Sequence, residues 1–186
     1  LGSLYSELGN YKTARSFIDK AFEIKTKTLR EENPAFASSL MSMGVILKNM
    51  GDLRGCEQYF LRALEWNKKT IGEEHPDYAK KLYNLAVLYD EMGDYKSAES
   101  LYKKALSIQS KTFGYEHPDV ATSINNLGLL LSVLGDYKTA ESYMIQAKDI
   151  RRKTLGENHP GYATSLSSLG LLYSNKGNLR AALDVY

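Results

Sequence analysis

Four prolines, Pro34, Pro76, Pro118 and Pro160, follow one another at intervals of 42 residues, and Gly9, Gly51, Gly93, Gly135 and Gly177 keep the same interval. A fixed period of a few tens of residues belongs to an array of like units, each covering the apolar face of the next. One globular domain is therefore excluded, although 186 residues would suffice for one. The length holds four periods and a remainder of 18. The expected division is a single array: a partial first repeat over 1–33, full repeats over 34–75, 76–117 and 118–159, and a partial last repeat over 160–186.

The period from Pro76 to His117 shows what one unit is. Leu82, Leu85, Ala86, Tyr89 and Met92 recur at the three-and-four spacing of a helix with one apolar face. Pro76 suits the first helical position, and Asp77 adds negative charge where the helix dipole favours it. Gly93 ends this helix, here called A. Asp94 is the expected N-cap of a second helix, B, whose apolar positions are Tyr95, Ala98, Leu101, Tyr102, Ala105 and Ile108. Lys111 lies near its C-terminal end and Phe113-Gly114 closes it. Neither helix is long enough to be stable alone, so the pair must be held by packing, and the chain is expected to be all-α.

The other periods agree column by column. The turn reads Gly-Asp or Gly-Asn five times. Helix B keeps a small column at Ala14, Cys56, Ala98, Ala140 and Ala182, and a second at Ala21, Ala63, Ala105 and Ala147. Helix A keeps a third at Gly2, Gly44, Ala86, Gly128 and Gly170. A glycine inside a helix costs about 1 kcal/mol relative to alanine. Its return at one phase predicts that two helix backbones cross closely there.

Gly128, Tyr137, Ala140, Ala147 and Pro160 stand where the tetratricopeptide repeat has its small, aromatic and final proline positions, and the chain resembles that family over its whole length. The usual unit is about 34 residues. The 42-residue form, with loops TIGEEHPDYA, TFGYEHPDVA and TLGENHPGYA, is similar to the repeats of kinesin light chains. The first loop departs from it, with Arg30 for glycine and Asn33 for histidine. The resemblance implies a right-handed α-solenoid of antiparallel helix pairs, with helices A lining the concave surface. It also implies a role in binding other proteins.

Twenty-four basic and 22 acidic residues leave a net charge of +2, which excludes the concentrated basic footprint of a sequence-independent nucleic-acid binder or a polybasic membrane anchor. A hydrophobic share of 43% excludes disorder. The longest apolar run, around Leu127 to Leu131, is far short of a membrane span. The single cysteine, Cys56, makes no intrachain disulfide and fits a reducing compartment. No signal peptide precedes the first repeat, so a cytoplasmic location is expected.

His75, His117 and His159 share one column. Equivalent atoms of successive repeats lie about 10 Å apart, the spacing of packed helices, whereas zinc needs its ligands about 2 Å from one centre. They are read as helix N-caps, with Asn33 filling the same position. No metal or other cofactor is expected. Cys56 replaces alanine in a packed column and is read as a buried, inert thiol. The recurring Lys-Thr pairs, with Arg151 and Arg152, could form a basic stripe for phosphates. The favoured reading is solvation and capping of helix ends, offset by Glu31, Glu73, Glu74, Glu116 and Glu157. No acid, base and nucleophile stand together, so no enzyme and no catalytic residue is expected.

The remaining face of helix A carries the candidate site. Four columns should face the groove: Ser38, Lys80, Thr122, Thr164; Met41, Tyr83, Asn125, Ser167; Ser42, Asn84, Asn126, Ser168; and Val45, Val87, Leu129, Leu171. Lys48, Asn49, Asp90 and Glu91 lie further along. An amide offers donors and an acceptor to an extended peptide backbone, and Asn84 and Asn126 resemble the asparagine ladder of tetratricopeptide grooves. The expected function is a non-enzymatic scaffold for a peptide or protein segment. The expected contacts are Lys48, Asn49, Lys80, Tyr83, Asn84, Val87, Asp90, Glu91, Thr122, Asn125, Asn126 and Leu129. The alternative is a regulatory segment of a larger protein, kinesin light chain-like or fused to a caspase-like or nucleotide-switch effector, making intramolecular contacts. Binding of RNA, one base per repeat, ranks last, because Val, Leu, Asp and Glu interrupt any polar code. Leu1 falls within a helix A and Tyr186 within a helix B, so both ends are expected to cut through hairpins. End-to-end self-association through Leu183, Val185 and Tyr186 is expected.

Overall fold

A computed structural model describes residues 4–5, 8–28 and 34–185; the expectations for Leu1, Gly2, Arg30, Glu31, Asn33 and Tyr186 lie outside them. The helices run α1 (Tyr11–Thr28), α2 (Pro34–Asn49), α3 (Leu53–Thr70), α4 (Pro76–Glu91), α5 (Tyr95–Phe113), α6 (Pro118–Val133), α7 (Tyr137–Leu155), α8 (Pro160–Asn175) and α9 (Leu179–Asp184). No strand occurs among the described residues.

The expected end signals set these boundaries. His117 Nδ1 accepts from the Asp119 amide at 3.1 Å and His159 Nδ1 from the Gly161 amide at 2.9 Å, while His75 makes the same bond to Asp77. Each imidazole thus satisfies an otherwise orphaned N–H at the start of a helix A. Asp52, Asp94 and Asp136 do so for helices B, accepting from Gly55, Ser97 and Thr139. The bonds from Ser97 and Thr139 hold the Asp94 and Asp136 carboxyls below their ordinary pKa. Between the helices of a pair Gly93 and Gly135 take φ of +78° and +87°, a region that a side chain disfavours.

The chain forms two compact units, Leu1–Leu88 and Tyr89–Tyr186, with the division inside α4. In the first unit α2 packs on α3, burying Leu40, Leu47, Phe60 and Ala63. Phe22 of α1 meets the Tyr59 ring edge-on at 5.7 Å, and Arg15 reaches Asp52 at 3.3 Å. In the second unit α6 packs on α5, α7 and α8. Val120, Ala121, Ile124, Ala147 and Ile150 form a core cluster, with Leu106 and Tyr143 packed against it. Each large aliphatic side chain fully buried in this way contributes about 1.5–3 kcal/mol.

The small columns lie where helices cross. Cys56, Ala98, Ala140, Ala63, Ala105 and Ala147 are all fully buried, and Cys56 is a free thiol. Ala21 and Ala182, nearer the ends, are exposed and half-buried. A β-carbon on Gly128 would stand 3.2 Å from the Ala140 carbonyl oxygen and 3.0 Å from Met144 Cγ. On Gly44 it would meet the Phe60 ring at 2.5 Å. The predicted close crossing is therefore present in both hairpins.

Candidate functional site

Every helix A that is buried by its neighbours keeps one open strip. Beyond its first turn, the residues of α6 short of full burial are Thr122, Asn126, Leu129 and Val133, spaced four, three and four apart, so they form one line along the helix. The same line on α2 is Ser38, Ser42, Val45 and Asn49, all exposed. On α4 it is Lys80, Asn84, Val87 and Glu91; on α8 Thr164, Leu171 and Asn175 are exposed, while Ser168 at the same phase is buried. Its composition is consistent: a polar residue, a small amide or hydroxyl, an aliphatic residue, and a polar or aliphatic end. Of the predicted site, Lys48, Asn49, Lys80, Tyr83, Asn84 and Val87 belong to the first unit, and Asp90, Glu91, Thr122, Asn125, Asn126 and Leu129 to the second.

In one predicted column two members are turned away from this strip, while Tyr83 is half-buried and Ser167 exposed. Asn125 is 2% exposed, and its amide donates sideways to Ser168 Oγ of α8 at 3.0 Å. Met41 in the same column is also buried. The correction has a simple cause. Residue 125 lies about 100° around the helix from 126, and that rotation turns it toward the next repeat rather than outward. Ser168 Oγ itself donates to the Thr164 carbonyl, so it must accept from Asn125, which leaves the buried Asn125 Oδ1 without a hydrogen bond. A second bridge lies two turns on, where Asn175 Nδ2 meets Ser132 Oγ at 3.5 Å. Leu129 and Leu171 sit between the two bridges.

Arg151 departs from the reading of a helix-end basic stripe. It is 6% exposed, and its guanidinium donates to Ser165 Oγ at 2.8 Å, Thr122 Oγ1 at 3.0 Å and the Gly161 carbonyl at 3.3 Å. It thus ties α7 to both α6 and α8. The signal that could have found it is its column: Asn67 and Gln109 precede it at the same phase and are also buried. Gln109 Oε1 accepts from Ser123 Oγ at 2.6 Å, the equivalent lateral bond one repeat earlier. The threonines of the Lys-Thr pairs bond back onto their own helices, with Thr112 and Thr154 donating to the carbonyls of Ile108 and Ile150 one turn earlier rather than to the open carbonyls at the helix ends.

The charges on the site are unequal. Asp90 and Glu91 close α4 with no basic residue in its last turn, where the helix dipole disfavours anions. Burial, and then the charge of Glu91, raise the Asp90 carboxyl above its ordinary pKa. Burial lowers the half-buried Lys81 ammonium. At the C-terminal end of α8, Tyr173 Oη and, just past the helix, Lys176 Nζ both donate to Glu141 of α7, at 2.9 and 2.7 Å.

Among the described residues no group of three or more His, Cys, Asp or Glu side chains is placed to hold a metal ion, and no helix is long and apolar enough to cross a membrane. No significant match is found among curated protein sequences. Solved structures are similar over the whole chain. BtubC (BKLC) of P. vanneervenii is 23% identical with a TM-score of 0.84, covering 100% of this chain and 74% of that one. Kinesin light chain TPR-like repeats of Podosopora anserina are 25% identical with a TM-score of 0.81, covering 99% and 87%. The apo form of RapI is 22% identical with a TM-score of 0.80, covering 99% and 64%. The shared fold is the helix-pair solenoid fold. A tetratricopeptide repeat family model matches residues 35–111, 92–147 and 119–186, and a second model of that repeat matches residues 1–28. With that coverage and a 42-residue period in every helix pair, the chain belongs to the tetratricopeptide repeat family, in its kinesin light chain-like form.

Proposed function

We propose that the chain is a protein-interaction scaffold that holds a peptide or protein segment on the open strips of its helices A. The observation that carries this reading is the alternation along each strip. Asn84 beside Val87, and Asn126 beside Leu129, set an amide next to an aliphatic contact. The amide pairs with a backbone N–H and C=O, and the aliphatic residue takes an alternate side chain. Lys80 meets acidic side chains of the segment, and Asp90 with Glu91 meets a cation. A partner elsewhere in a larger protein would use the same residues.

The test is a pull-down or peptide array with Asn84→Ala plus Asn126→Ala. A lost amide pairing costs about 0.5–1.5 kcal/mol, so the double variant binds about fivefold to a hundred-and-fiftyfold more weakly. Unchanged binding rejects the strips as the site, and the single variants report which unit holds the segment.

Leu179 and Leu183 of α9 are 66% and 76% exposed, and a second copy of the chain is the proposed cover for this face. Light scattering then finds a mass that rises with concentration. A monomeric mass at the highest concentration reached counts against it.

A further inference from the structure

The helices A differ in charge. Asp77, Lys80, Lys81, Asp90 and Glu91 lie on α4, whereas α6 has only Asp119, in its first turn, and α8 has no charged residue over Pro160–Asn175. The exposed surface of a folded chain is where charged side chains ordinarily gather. On α6 and α8 aliphatic side chains stand there instead. Val133 is 59% and Leu171 52% exposed, and Leu129 is half-buried. Leu129 and Leu171 lie between the Asn125–Ser168 and Asn175–Ser132 bridges, with Asn126 and Ser167 beside them. The charged groups stand off at the two ends. Asp119, and the Arg151 guanidinium on Thr122, lie about two turns or more from Leu129 toward the start of α6. Lys176, past the end of α8, is held by Glu141 of α7.

We propose that this neutral band of α6 and α8 takes an uncharged polypeptide segment through one aliphatic anchor, a leucine-sized side chain laid across Leu129 and Leu171. The proposal rests on the strips being the binding surface and specifies the chemistry of what the second unit holds there. Two observations set the charge of the occupant. A carboxylate or an ammonium brought onto the band gives up water and meets no opposite charge. The hydroxyls of Thr122 and Thr164 donate to the Pro118 and Pro160 carbonyls of their own helices. A hydroxyl has one proton to give, so these two present lone pairs to a backbone N–H and nothing to a carboxylate. Exposed aliphatic contacts with charge depleted around them are also the make-up of the centre of a protein interface. Packed helices lie about 8–10 Å apart, which lets one branched side chain touch both leucines.

The experiment titrates the whole chain with the capped peptide acetyl-Ser-Ala-Leu-Ala-Ser-amide and follows methyl shifts by NMR. Shifts of Leu129, Val133 and Leu171 are expected. The capped control with serine in place of the leucine should bind at least about tenfold more weakly, as the loss of an aliphatic anchor implies. Capped peptides with both outer serines changed to glutamate, or both to lysine, should also bind at least about tenfold more weakly. Leu171→Ser plus Val133→Ser should weaken the parent peptide about tenfold while melting like the parent chain, since both side chains are more than half exposed. The proposal is overturned by any of three results: no methyl shifts at millimolar peptide, equal binding of a charged peptide, or unchanged binding to the serine variant. The same methyl shifts on concentrating the chain alone make a second copy the occupant and also overturn it. A partner captured through Asn84 that leaves the Leu129 and Leu171 methyls unmoved overturns this inference and keeps the proposed function. Partner binding unchanged in Asn84→Ala plus Asn126→Ala, with no methyl shifts here, overturns both.

Discussion

Replacing Gly128 by leucine lowers the thermal midpoint by about 6–12 °C. The α6–α7 hairpin is the tightest joint of the second unit. A β-carbon at Gly128 already approaches the Ala140 carbonyl oxygen at 3.2 Å, and a backbone atom cannot swing aside as the Met144 side chain can. The branched remainder of leucine then has no room unless the helices part. Overpacking of this kind costs about 3 kcal/mol, the upper part of the usual range, and each kcal/mol shifts the midpoint by about 2–4 °C in a chain of this size. Alanine is the discriminating control. It gains about 1 kcal/mol of helix propensity over glycine, and Ala86 occupies the same column, fully buried, in another repeat. Gly128→Ala should therefore melt near the parent. A Gly128→Leu protein that also melts like the parent removes the close-crossing account.

The second large effect is expected at Arg151. Three of its bonds go to neutral oxygens on two helices. Thr122 Oγ1 and Ser165 Oγ spend their protons on the carbonyls of Pro118 and Gly161 in their own helices, so Arg151 supplies the donors for their remaining lone pairs. Arg151→Ala removes those donors and leaves a void as long as the side chain. A loss of about 2–4 kcal/mol follows from the hydrogen bonds to a charged group and the cavity together. Arg151→Met keeps the stem volume and should lose about half as much. Hydrogen exchange gives the sharper measurement, since amides of α8 should lose protection before those of α6. Arg152 next door is exposed, with only a 3.7 Å pair to Glu157, and Arg152→Ala should change stability by less than about 1 kcal/mol. Equal melting of the Arg151→Ala and Arg152→Ala proteins would dismiss the clasp.

These two sites show what was and was not legible in the chain. The Gly128 crossing follows from a column of small residues, because contacts within a helix pair repeat at the period of the sequence. The helix caps were legible for the same reason: His117 and Asp136 act on amides two and three residues away. Lateral contacts are different in kind. Whether Asn125 or Asn126 faces outward depends on which flank of α6 the next helix A covers, and that is a matter of how helix pairs are stacked. Hydrophobic periodicity does not record that rotation. The buried polar column of Asn67, Gln109 and Arg151 was missed because single residues at a helix end read as solvated. The column taken together was the available signal.

The glycine corners described above bear on how such a chain can change over generations. Gly93 and Gly135 hold backbone angles that other residues resist, and the aspartates after them are committed to amides. These positions have little latitude for substitution. The open strips, by contrast, carry Lys80, Thr122 and Thr164 at one level and Glu91, Val133 and Asn175 at another, with no difference in the helices beneath. Heritable variation should therefore gather on the strips and leave the corners untouched. A lineage can in this way exchange one binding partner for another without having to reinvent its skeleton.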